Sequence, residues 1–189
     1  MKKLFFTLII CSLVLMGASC GQKAVDIAGK ELMTIIEAKS VADPVAAKWA
    51  KDAVVEKTFQ SVIGEDGTSD AWYFYYCSPS QNKVKYLTVK MGEVVSQTDQ
   101  GECSYEQQGG EALKMDSPAV YKLAKDEIDK FKQSHPDAYV IISLLRYNGL
   151  DYHYLWEVQA FPSETVYYPS VAVLMDDDGK VVDVTEYPE

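Results

Sequence analysis

Histidine is almost missing from this chain, with His135 and His153 the two in 189 residues. That scarcity, together with the absence of any nucleophile, phosphate-binding or metal motif at its required spacing, leaves little equipment for acid–base or hydrolytic chemistry. Basic residues are in deficit as well: 18 against 28 acidic, scattered along the chain, for a net charge of −10. Neutralising a polyphosphate needs clustered Lys and Arg, so nucleic acid is excluded as a partner. The apolar run Leu4 to Met16 has 13 residues, short of the ~20 that a bilayer-spanning helix needs. What remains is a globular composition, 48% apolar and 24% charged, rich in tyrosine, of which there are 13.

Lys2-Lys3 ahead of that apolar run reads as a secretory signal over residues 1–19. Gly17-Ala18-Ser19-Cys20 resembles the lipobox of bacterial lipoproteins. The resemblance implies that Cys20 becomes the lipid-modified first residue, with residues 20–42 holding the lipidated N-terminus and a first helix. Gly21 after the cysteine fits an outer-membrane lipoprotein, facing the periplasm or the cell surface. Losing Lys2 and Lys3 would leave 16 basic and 28 acidic groups, a net of −12. Such a surface is repelled by anionic headgroups, so attachment would rest on the lipid. Of four cysteines, Cys11 would leave with the signal and Cys20 would be acylated, which leaves Cys77 and Cys103 as a candidate disulfide in an exported protein. The alternative, a reactive Cys77, finds nothing in Tyr76, Ser78 or Pro79 to lower a thiol pKa.

An internal similarity suggests organisation. Pro44 to Val54 aligns with Pro118 to Ile128, sharing Pro, Lys, Ala, Lys and Asp, each copy preceded by an N-cap candidate, Asp43 or Ser117. Trp72 to Pro79 then aligns with Trp156 to Pro162, and Leu87 to Met91 with Val171 to Met175. The second copy predicts a helix with apolar positions Val120, Leu123, Ala124, Ile128 and Phe131, ended by His135-Pro136. Strands are predicted over Tyr139 to Tyr147 and Leu150 to Phe161 about an Asn148-Gly149 turn, and over Val166 to Met175 and Lys180 to Glu186 about Asp176 to Gly179. The first copy offers strands at Val54 to Ile63, Ala71 to Cys77, Lys83 to Met91 and Glu93 to Gln97, with a further helix over Ala24 to Lys39 before them. The expected fold is α+β: two tandem repeats, residues 43–99 and 117–189, each a helix plus a four-stranded antiparallel sheet, joined by a polar linker over 100–116.

Trp156-Glu157-Val158, Val171-Ala172-Val173 and Asp178-Gly179-Lys180-Val181-Val182 resemble the strand and final hairpin of PepSY-like bacterial envelope proteins. A tandem pair of such units is also similar to the architecture of the secreted β-lactamase inhibitor protein. The resemblance implies a binding or inhibitory module with no catalytic residues to carry over.

Residue types narrow the candidate sites. Asp176-Asp177-Asp178-Gly179 does not fit a calcium loop, because placing Gly179 sixth puts Leu174 first and Thr185 last, where carboxylates are required. It reads as a solvated turn. His135 reads as a helix cap and His153 as a strand residue without metal partners, so no metal or cofactor is expected. Strand alternation puts Trp72, Phe74 and Tyr76 on one side and Tyr73 and Tyr75 on the other, with Tyr86 from the next strand beside them. These three tyrosines are the partner-binding candidates, the alternative being that they pack against the other repeat or under the first helix. The expected function is that of a lipid-anchored, non-enzymatic envelope protein that binds a protein or peptide, as an inhibitor or regulator. The alternative is a small-ligand carrier or enzyme with a pocket between the repeats.

Overall fold

The computed structural model describes residues 32–60, 64, 66–103, 113–146, 154–163, 166 and 168–187. The signal, Cys20, the turn at Asn148-Gly149 and His153 lie outside these residues. The elements run α1 (Ile35–Trp49), β1 (Val54–Gln60), β2 (Ala71–Ser78), β3 (Lys83–Lys90), β4 (Glu93–Gln100), α2 (Ser117–Ser134), β5 (Tyr139–Arg146), β6 (Tyr154–Phe161), β7 (Val171–Met175) and β8 (Val181–Glu186).

The strands do not divide into two sheets. They form one antiparallel sheet of eight, ordered β4-β3-β2-β1-β5-β6-β7-β8. The join is β1 against β5, where Lys57, Thr58 and Phe59 face Leu145, Leu144 and Ser143. This corrects the expectation of tandem repeats with separate four-stranded sheets: the molecule is sheet-rich, with one sheet and two helices among the described residues. Pairing β1 with β5 removes two edges whose unpaired N–H and C=O groups would otherwise face water beside apolar side chains.

One core runs beneath both helices and includes Trp72 and Trp156, which are 0% and 1% exposed. Phe74, Thr58, Leu144, Trp156 and Met175 lie in a single row across five strands, on the side the helices cover. The α1 stripe is small, Ala38, Ala42 and Ala46 behind Ile35, so the helix lies close over the large side chains of β2 and β3. The Trp72 indole N–H donates to the Met33 carbonyl at 2.9 Å, and the Tyr76 hydroxyl donates to Asp43 Oδ1 at 2.6 Å. Among the described residues, two buried polar side chains have no such partner: the Thr58 hydroxyl and the Gln60 amide. Each costs roughly 1–3 kcal/mol against an apolar group of like shape.

Three local expectations shift. The helices predicted over Ala24 to Lys39 and from Pro44 are one element from Ile35, with Pro44 inside it and residues 24–31 outside the described region. Its cap is Thr34, which trades hydrogen bonds with Glu37 in a capping box, and Asp43 instead accepts from Tyr76 and Lys39. The cap of α2 is Asp116 rather than Ser117. On α2 the buried stripe is Ser117, Val120, Tyr121, Ala124 and Ile128, while Leu123 is 47% exposed, because the stripe follows the i, i+4 ridge leaning towards Tyr121.

The helix N-termini meet: Ile35 N–H donates to Ser117 Oγ at 3.1 Å and Ile36 N–H to Asp116 Oδ1 at 3.2 Å. Gly67, at φ +82°, packs against the same point, where an added Cβ would lie 2.7 Å from Pro118 Cα. Cys77 on β2 is joined by a disulfide to Cys103, just beyond β4, with Cα atoms 5.5 Å apart.

Candidate functional site

Because both helices lie on one side, the other face of the sheet carries no helix among the described residues. The pleat decides what it shows. Alternate residues of each strand project there, and the register lines them into rows crossing the sheet. One row is Thr98, Tyr86, Tyr75, Lys57, Leu145 and Leu155; the next is Ser96, Thr88, Tyr73, Phe59, Ser143, Glu157, Leu174 and Asp183.

The two rows bring four aromatic rings together. Phe59 and Tyr73 have ring centroids 5.0 Å apart, Tyr75 and Tyr86 also 5.0 Å, and Tyr73 and Tyr86 lie 6.1 Å apart with planes 7° from parallel. Lys57 Nζ sits 5.5 Å from the Phe59 centroid and 5.8 Å from that of Tyr75. All four rings are half-buried, each shielded by the others, while Lys57 is exposed. Partial burial raises the Tyr86 pKa above its ordinary value, so the phenol stays neutral.

Beside this patch is a polar strip. Glu157 accepts from the Gln159 amide at 3.0 Å. Burial pushes its carboxyl above the ordinary range, offset in part by the hydrogen bonds from Gln159 and Ser143 and by the charge on Lys57. A carboxyl held above its unfolded value binds its proton more tightly in the native state, so its ionisation opposes folding. Stability from this group is therefore greatest below pH 4.5, the unperturbed value, and falls as pH rises through the raised one. Glu157→Gln is expected to increase the urea midpoint at neutral pH and to leave it unchanged in acid, below about pH 4. A midpoint unaltered near pH 7 would show that the carboxylate carries no such cost.

Tyr73, Tyr75 and Tyr86 thus lie together on the open face, away from α1. Phe59 and Lys57 complete the cluster, and alternation along Val54–Gln60 hides them: polar Thr58 and Gln60 take the buried side, and the register shifts between Val55 and Lys57. His135 caps α2, its ring stacked on Phe131 at 4.2 Å and its Nδ1 3.0 Å from Ser134 Oγ. Asp176 Oδ1 accepts the N–H groups of Asp178 and Lys180, and Lys114 Nζ lies 2.6 Å from Asp177, so the acidic turn is occupied by its own hairpin. Among the described residues no group of three His, Cys, Asp or Glu side chains is placed to hold a metal, and no helix is long and apolar enough to cross a membrane. A cavity at the far end of α2 is lined by Phe131, His135, Ser170 and Tyr187, remote from the tyrosines in the sheet.

Compared with known proteins, the chain matches no family model, no curated protein and no solved structure.

Proposed function

We propose that this chain is a lipid-anchored, non-enzymatic protein of the bacterial outer membrane that binds a protein or peptide partner through the open face of its sheet, at Tyr73, Tyr75 and Tyr86. The observation that carries this reading is the four-ring cluster with Lys57 on a face that no described helix covers. Tyrosine offers a large amphipathic contact at little entropic cost, and half-buried rings are already ordered before a partner arrives. Glu157 and Gln159, only partly buried, would supply hydrogen bonds at the rim.

Magnitudes separate binding from folding here. Cross-strand aromatic pairs contribute roughly 0.2–1 kcal/mol each, whereas a buried aromatic anchor at an interface contributes about 2 kcal/mol or more. Tyr73→Ser combined with Tyr75→Ser is therefore expected to leave the circular dichroism spectrum intact while weakening capture of the envelope partner by ~30-fold or more. The check is a pull-down from envelope extract with wild-type and variant protein at matched loading. Identical capture by both would remove this face from the account.

A further inference from the structure

The two outer strands of the sheet differ. On β4 a single valine, Val95, is exposed, at 55%; from Ser96 to Gln100 the strand is polar and exposed throughout, and Lys85 pairs with its Asp99 at 2.8 Å. By contrast β8 carries Val181, Val182 and Val184 at 42%, 50% and 40% exposure. Val184 stands opposite Val173 and so faces the helix side, yet α2 packs chiefly on β6 and β7, leaving Val184 exposed there, with Leu123 at the hairpin end beside Gly179.

The backbone adds direction. Tyr187 N–H donates to Ser170 at 2.9 Å, towards β7. In an antiparallel strand the N–H and C=O of one residue point the same way and alternate, so those of Val184 and Glu186 point outward, where no described strand lies. An apolar edge with unpaired main-chain groups is a template for another strand.

We propose that β8 pairs antiparallel with β8 of a second copy, about a two-fold axis through Val184. Outward groups must meet outward groups, which leaves few registers. An axis through Asp183 or Glu186 would set that carboxylate directly opposite its own copy, an unfavourable like-charge pair. An axis through Thr185 puts Val184 against Glu186 and brings no two valines together, and an axis through Val182 falls on the residue left without a counterpart at the register shift between Leu174 and Met175. The axis through Val184 opposes valine to valine at its centre and Asp183 to Thr185, with Val182 against Glu186 and no carboxylate facing a carboxylate. The axis stands perpendicular to the sheet, so both copies turn the same face the same way and the exposed Val184 of each meets its twin between the two α2 helices. This self-match identifies the occupant as a second copy rather than a foreign strand. The contact is isologous and closed, ending at the dimer.

Sedimentation equilibrium of the full chain in density-matched detergent tests it across three decades of loading. A concentration-dependent rise to twice the monomer mass, and no further, is expected. Val184→Lys should raise the dissociation constant at least ~100-fold, and Val184→Pro, which removes an outward N–H without touching the β7 ladder, should do the same with the circular dichroism unchanged. Val95→Lys on β4 should have no effect. A monomer at every loading, a dimer indifferent to both Val184 variants, loss of the dimer through Val95→Lys, or growth beyond the dimer would each overturn the proposal.

Discussion

Replacing Trp72 by alanine is expected to lower the stability of the whole molecule by about 3–5 kcal/mol, the range for truncating a buried tryptophan. The side chain is fully buried under α1, and its loss also leaves the Met33 carbonyl without the indole donor. Trp156→Ala should cost a similar amount, and the shape of the transition is more informative than its midpoint. Since Trp72 and Trp156 lie in one core and the sheet is continuous through β1 and β5, each variant should shift a single cooperative unfolding curve. Urea titrations followed by far-ultraviolet dichroism and by tryptophan fluorescence check this. If Trp156→Ala unfolded residues 117–187 while the remainder held, giving two separated transitions, the single-core description would be wrong.

Loss of the Cys77–Cys103 disulfide should be the second large effect. The bridge spans a sequence separation of 26 and ties the end of β2 to the chain beyond β4. In the chain-entropy account, opening a loop of that length favours the unfolded state by roughly 3.5 kcal/mol. Cys103→Ser, or treatment with a thiol reductant, should lower the melting temperature, and exchange of the β4 amides should accelerate before those of β6, since β4 is an outer strand exposed along most of its length. A melting curve indifferent to reductant would mean that the sheet edge is held without the bridge.

Strand positions were legible in the sequence because alternation and turn residues are local signals. Asp176 to Gly179 closes the last hairpin with Gly179 at φ +82°, and the alternation Trp72, Phe74, Tyr76 against Tyr73, Tyr75 separates the buried side from the open one. Lateral order was not legible. Alternation states which face a residue takes and is silent on which strand lies alongside, so the β1–β5 pairing that joins the two halves has no local signature. The start of α1 differs from expectation for another reason: Asp43-Pro44 has the local form of a helix start, yet the cap that operates is the Thr34…Glu37 capping box ten residues before Pro44. Within the candidate site, the tyrosines were found from their own strand, whereas Phe59 and Lys57 reach them only through cross-strand register.

The most direct test of the account is where a bound partner touches the chain. A photo-crosslinking amino acid placed in turn at Tyr73, Tyr86 and Lys122 in intact cells would report it, Lys122 being exposed on α2, which covers the opposite side of the sheet. The account predicts a discrete crosslinked species from Tyr73 and Tyr86 and none from Lys122. Crosslinks from Lys122 with silence at both tyrosines would contradict it.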